Sequence, residues 1–214
     1  MLTLYHFTHS PFSRRARLAL AHKRLECDLR EAGEGRWRAQ AGRLVAQRTI
    51  PVLVDGEVAL GDSAAITRWL DAKYTLAPRI WPEGDDARVS LEVAALVDTA
   101  LNNIVDLGTR YYALRDHPSF PAVKAEILGR AQRALDALAI RAEARLGVTL
   151  APGGWSAADM WLYTAAVWFA GLPRRVQSSQ NAAQIVALGG WTLPEAVRRW
   201  ADAHHERADV KSLA

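Results

Sequence analysis

The chain changes its hydrophobic period once, and that change limits the folds open to it. Up to Tyr74, short β-rich runs alternate with helical patterns; from Asp86 onward, long Ala/Leu/Arg-rich helical patterns take over and strand signals fade. Between them, "TLAPRIWPEGDD", with two prolines and a glycine, reads as an extended linker. "LTLYHF" is a short β run, and "SPFSRRARLALAHKRL" then reads as a helix whose Phe12, Ala16, Ala19 and Leu20 recur at i, i+4, i+7 and i+8, with Arg14, Arg17 and Lys23 off that face. "ECDLREA" is a second strand, and the polar stretch "GEGRWRAQAGRLVAQR" leaves room for an irregular helix. Ile50 to Val54 and Glu57 to Leu60 flank Asp55-Gly56, a hairpin signal, and Asp62 to Tyr74 reads as a capped amphipathic helix. The order β-α-β-(α)-β-β-α describes a small α/β unit with one crossover and one hairpin, followed by an all-α helical bundle. The expected boundaries are 1–76 for the first domain, 77–85 for the linker and 86–214 for the helical domain.

Composition narrows the function classes. A chain of 214 residues with 50% hydrophobic and 23% charged residues has an ordinary globular balance and can bury a proper core. The net charge of +4 would suit a nucleic-acid binder, but the basic residues are scattered among acids, as in "QRALDALAIRAEAR". A solvated mixed surface is the expectation, with no nucleic acid as partner. The single Cys27 excludes an intramolecular disulfide and a cysteine metal cluster, the histidines lack ligand spacing, and a reducing, cytoplasmic setting fits. "MLTLYHFTHS" lacks the basic start and apolar core of a signal peptide, and "MWLYTAAVWFAGL" is too short to span a bilayer, so no membrane is expected.

Three short motifs carry the chemistry. Ser10, followed by Pro11, opens a helix with Ser13 three residues on; each hydroxyl alone reads as a cap or first-turn bond. Ile50-Pro51 begins a β run with a residue that cannot donate to the ladder, so it marks an edge, a bulge or a cis turn. If cis, it would present the Ile50 backbone to a peptide-like ligand as an added strand. Asp62-Ser63 opens the next helix; besides capping it, the pair suits a charged amino-acid head, with helix N–H groups and the Ser63 hydroxyl for a carboxylate and Asp62 for an ammonium.

In this order, with the Pro-rich linker and helical half, the motifs resemble the glutathione transferase superfamily over essentially the whole chain. "WSAADMWLYTAAVW", with Ser156 and Asp159 at capping-box spacing, is similar to that family's buried helix, and "PEAVRRWADAHHERADVKSLA" to its last helix and tail. The resemblance implies a thioredoxin-like first domain in which a C-x-x-C pair once opened the first helix. Ser10 and Ser13 stand at both cysteine positions here, so thiol–disulfide exchange through them is excluded. Cys27, in the second strand, reads as a small core residue.

The resemblance further implies glutathione as cosubstrate, a small hydrophobic electrophile, no metal and a two-fold homodimer. Ser10 is the implied activating hydroxyl, with Ser13 and Tyr5 as the alternatives. Ile50 (main chain), Pro51, Asp62 and Ser63 would hold the glutathione backbone, and Gln47 or Arg48 its glycyl carboxylate. The chain departs from the family where "LVAQRTIPVL" lacks the Asn-Pro found in many relatives, which leaves the glycyl end least defined. Asn103, Asp106 and Arg110, at i, i+3 and i+7, form a polar stripe that either faces the electrophile's pocket or is simply solvated. Trp37 and Trp191 are further cleft candidates. The alternative to an enzyme is a non-catalytic glutathione-transferase-like binding or scaffolding protein.

Overall fold

The computed structural model describes residues 1–211; Ser212–Ala214, the end of the tail read from sequence, lie outside the described residues. The first part contains β1 (Leu2–His6), α1 (Pro11–His22), β2 (Cys27–Glu31), α2 (Gly35–Leu44), β3 (Val52–Asp55), β4 (Val58–Gly61) and α3 (Ser63–Lys73). The strands form one mixed sheet in the order β2-β1-β3-β4. β1 pairs parallel with β2 through the α1 crossover and antiparallel with β3, and β3 returns as β4 over a turn in which Gly56 takes φ +65°. This is the thioredoxin-like arrangement, with α2 formed over part of the stretch read as irregular.

The second part is helical: α4 (Asp85–Thr109), the single turn α5 (Tyr111–Leu114), α6 (Phe120–Ala144), α7 (Ala157–Gly171), a 3-10 turn (Pro173–Arg175), α8 (Gln180–Leu188), α9 (Glu195–Asp202) and the short α10 (Ala208–Lys211). No helix among the described residues is long and apolar enough to cross a membrane. α7 is buried along most of its length, as its near-uniform apolarity requires. Its start is fixed by Asp159, whose carboxylate accepts from the backbone N–H groups of Ser156 and Leu150 at 2.9 and 2.7 Å and from the Ser156 hydroxyl at 3.1 Å.

Buried apolar side chains of both parts form one contiguous cluster running from Leu2 and Leu4 on β1 to Trp161 on α7 and Val210 on α10. The linker is tied back rather than loose. Asp71 on α3 accepts from the N–H groups of Ile80 and Trp81 and from Lys23 Nζ at 2.8 Å, and Lys23 also donates to Pro78 O at 3.1 Å.

The charged face expected on α1 is not solvated. Of the three cations placed off its apolar face, Arg17 and Lys23 are buried and Arg14 is half-buried, and Arg15 beside them is buried too, because α1 packs against α3, α7 and α10. Arg15, only 1% exposed, sets its Nη1 2.7 Å from Asp98 Oδ1 on α4 and lies over the Trp161 ring at 4.6 Å; Trp161 Nε1 donates to the other Asp98 oxygen at 3.3 Å. Removing one partner of such a pair leaves a charge without compensation. Asp98→Asn is therefore expected to lower stability by about 3 kcal/mol, at the low end for buried pairs because Asp98 is partly exposed. Urea denaturation with an unchanged m-value checks this.

Candidate active site

The loop from Phe7 to Ser10 passes from the end of β1 into α1, and hydrogen bonds to both neighbours fix its shape. Ser10 is extended (φ −80°, ψ 128°) and caps α1, its Oγ accepting from Ser13 N at 3.3 Å, while Pro11 occupies the first helical position where an N–H would be idle. Ser10 N donates to Phe7 O at 2.9 Å. Ser13, wholly buried, turns its Oγ back to accept from Phe7 N at 3.1 Å. Thr8 donates from N and Oγ1 to Glu31 on β2 at 3.1 and 2.6 Å. Burial alone would raise the Glu31 carboxyl, but the Thr8 bonds, His6 and the Gly33 N–H together outweigh it and hold the group below its ordinary range.

The two serines thus differ in environment although the sequence treats them alike. Half-buried Ser10 lines a cleft of about 170 Å³ between the two parts, with Phe7 and Phe12 on its own side and Val105, Trp168 and Arg175 opposite. Ser13 does not line it. Tyr5 is buried on the α2 side of the sheet, where its ring lies 6.1 Å from Trp37 and its hydroxyl accepts from Arg30 Nη1 at 3.0 Å.

The other residues singled out from sequence fall into three places. The Ile50–Pro51 peptide bond is cis, with Pro51 buried and Ile50 half-buried. Asp62 takes φ +74°, a region that Asp tolerates better than most residues, and caps α3 by accepting from Ala64 N and Ala65 N at 2.8 and 3.0 Å through Oδ1. Asp62 is exposed, whereas Ser63 behind it is buried. Gln47 approaches the end of β4, its Oε1 3.3 Å from where a Cβ on Gly61 would stand, so this side chain borders the Asp62 turn. Exposed Arg48, at φ +53°, lies instead along a groove on α2 with Arg38 and Arg43.

On α4, Asn103 folds back to donate to Thr99 O at 2.7 Å, and exposed Asp106 and Arg110 pair with each other at 3.7 Å. None of the three lines the cleft; Val105 and Thr109 do. Trp37 packs beside Tyr5, and Trp191 against Phe169 at 5.0 Å, so the cleft's tryptophan is Trp168. Sequence reading missed Trp168 and Arg175. The first sits within the run read as a buried helix, and the second follows it in a stretch that carries no motif.

Residues 4–78 match the family model described as glutathione S-transferase, N-terminal domain. The first part of the chain is therefore a glutathione S-transferase N-terminal domain. Over 101 residues it is 39% identical to a probable maleylacetoacetate isomerase of Vibrio cholerae, a match covering 44% of this chain and 46% of that protein. Over 135 residues it is 30% identical to a probable glutathione S-transferase, GSTU1, of Oryza sativa subsp. japonica, covering 59% and 58%. The chain therefore spans about half the length of the curated relatives it matches. Among solved structures, a glutathione S-transferase of Methylobacterium radiotolerans in complex with glutathione sulfonate aligns with a TM-score of 0.73 over 99% of this chain and 93% of its own, at 20% identity. That likeness is one of fold.

No group of three His, Cys, Asp or Glu side chains among the described residues could hold a metal ion. Cys27, the one thiol, is half-buried at the start of β2, and burial pushes it up to about 11, so it is protonated at neutral pH. Alkylation by iodoacetamide is expected to be slow at pH 7.5 and to accelerate about tenfold for each unit by which the pH is raised toward about 11, since the reaction follows the thiolate fraction. Ser13→Ala, which removes the acceptor for Phe7 N, is expected to cost about 1 kcal/mol in thermal or urea denaturation.

Proposed function

We propose that this protein is a glutathione transferase that uses the Ser10 hydroxyl to stabilise the glutathione thiolate for attack on, or isomerisation of, a small hydrophobic electrophile. The observation that carries this reading is the contrast between the two serines: Ser10 faces the cleft between the two parts, whereas Ser13 is buried and bonded to Phe7 N. The name of the Vibrio cholerae relative, a probable maleylacetoacetate isomerase, supports including isomerisation, and the glutathione sulfonate complex of the Methylobacterium radiotolerans protein supports glutathione as the ligand.

Glutathione supplies the sulfur nucleophile. Ser10 donates its O–H to that sulfur, and the N-terminus of α1 adds positive potential. A hydrogen bond to a charged group contributes roughly 1.5–3 kcal/mol, which corresponds to about 1–2 pKa units. A thiol near ~8.5 then becomes one near ~6.5–7.5, and the thiolate fraction at neutral pH rises about tenfold. Ile50 offers its main-chain N–H and C=O to the peptide backbone of the ligand. Ser63 and the N–H groups opening α3 receive the γ-glutamyl carboxylate, and Asp62 its ammonium. Gln47, beside the Asp62 turn, or Arg48 takes the glycyl carboxylate. Phe7, Phe12, Val105 and Trp168 supply the apolar wall for the electrophile. A cytoplasmic homodimer completes the reading.

A second reading, a glutathione-transferase-like docking protein, is favoured by one observation. Residues 35–48 hold four arginines and no acid, which accounts for the whole net charge of +4. None of Arg36, Arg38, Arg43 and Arg48 has an ion-pair partner among the described residues. Such a face suits an acidic partner.

Ser10→Ala is expected to lower turnover with an activated aryl halide about tenfold at pH 7 while Ser13→Ala keeps activity, and the Ser10→Ala deficit is expected to close above about pH 9, where the free thiol ionises unaided. A wild-type protein that binds no glutathione at millimolar concentration in calorimetry would leave the docking reading in its place.

A further inference from the structure

The head of α1 is surrounded by guanidinium groups, none of which forms an ion pair with a carboxylate among the described residues. Ser10, Arg14 and Arg17 stand at i, i+4 and i+7 and so share one side of the helix. Arg17, buried, donates from Nη2 to Thr8 O at 3.3 Å, and its buried Nε has no hydrogen-bond partner. Arg175 reaches the same loop from the 3-10 turn after α7. Its Nε donates to Gly171 O at 3.2 Å, its Nη2 to Trp168 O at 3.0 Å and its Nη1 to His9 O at 3.3 Å. Two arginines from opposite parts of the molecule therefore hold the two successive carbonyls that precede Ser10. Arg14 is half-buried and, like the other two, has no carboxylate within ion-pair distance among the described residues.

The charged and titratable groups that face this cluster do not cancel it. From β2, Glu31 is bonded to Thr8 and to Gly33 N and offsets Arg17 in part, leaving Arg14 and Arg175 unopposed, and from β1, burial and then Arg17 push His6 below its ordinary value, so it is neutral at pH 7. From α7, burial pushes the Tyr163 phenol up to about 12, leaving it neutral as well. At the far side of α1, Asp98 is paired with Arg15, and Asp62 caps α3. Burial lowers Arg14, Arg17 and Arg175, and the nearby Arg14 lowers the other two further, as expected for like charges held together away from water. All three remain cationic at neutral pH. Nothing in backbone clamping requires a full charge without a counter-ion, and a site that is to receive an anion does.

Resting on the transferase reading above, we propose that Arg17 and Arg175 are positioning residues for the Ser10 turn, and that together with Arg14 they make the head of α1 selective for a full negative charge on the sulfur of bound glutathione. The carbonyl clamps fix where the Ser10 hydroxyl points. The net positive charge that remains, in partly buried surroundings, favours the thiolate over the thiol.

Two glutathione analogues separate charge from shape: glutathione sulfonate carries a fixed anion at the sulfur, and S-methylglutathione a neutral one. Calorimetric titration of wild type, Arg175→Gln and Arg14→Gln with both is the test. Each variant is expected to bind the sulfonate about tenfold more weakly, one unit of charge preference, while S-methylglutathione changes by less than about twofold. Ultraviolet titration of bound glutathione is expected to place its thiol about one unit higher in each variant, with Arg175→Lys keeping most of the wild-type value. Equal losses for both analogues would reduce the arginines to a structural role and overturn the inference, and so would affinities and thiol titrations that do not move. Arg14→Gln, which removes no hydrogen bond, keeps the test valid if Arg175→Gln folds poorly. A wild-type protein that binds neither analogue would instead sink the transferase reading itself.

Discussion

The pair formed by Arg15 and Asp98 joins α1 of the sheet-bearing part of the molecule to α4 of the helical part. α1 carries Arg15 on the side turned from the sheet, α4 brings Asp98, and α7 brings Trp161, which both bonds the carboxylate and covers the guanidinium. A charge this deep is tolerated only with a partner, so the pair dictates which faces of three helices meet. Once α1 is set against α4 and α7, its N-terminus must open where α7 ends, and that is where the cleft lies. The position of Ser10 opposite Trp168 and Arg175 follows from a contact more than one helical turn away.

Around that contact, the polar groups that hold the first part together are used in several bonds at once. Asp55, at the end of β3, accepts from Trp69 Nε1 and Tyr74 OH at 3.0 and 3.2 Å and pairs with Lys73 at 2.7 Å. Burial by itself would raise this carboxyl, but the three donors on the C-terminal half of α3 hold it below its ordinary value. Asp71 acts in the same way on the linker, and Asp159 on the start of α7. In each case a single carboxylate satisfies several donors at once, which is how a chain with a single cysteine fixes irregular segments.

Much of the fold was legible in sequence because its signals are local. Asp55-Gly56 announces the hairpin, the two prolines of "TLAPRIWPEGDD" announce the linker, and Ser156 with Asp159 announces the start of α7. The burial of Arg15, Arg17 and Lys23 was not legible, since periodicity places charge outward and only tertiary partners such as Asp98 and Asp71 reverse that. The same limit explains the cleft. Successive helix residues are rotated by about 100°, so a polar stripe through Asn103, Asp106 and Arg110 points away from the wall made by Val105 and Thr109. The hydroxyl at Ser10 could be named from its motif; its separation from Ser13 came only from what each side chain touches.

The contiguous core described above makes the cleft a seam within one cooperative body rather than a joint between two. A hinged enzyme admits its reactants by swinging lobes apart, which requires an interface that parts cheaply. Here the same apolar cluster continues from β1 to α10 beneath the cleft floor, so swinging the halves apart would expose that cluster to water. What can move without parting that cluster is the rim, where exposed Phe7 and half-buried Trp168 line the cleft. Breathing at the scale of side chains, rather than of lobes, sets how this molecule opens.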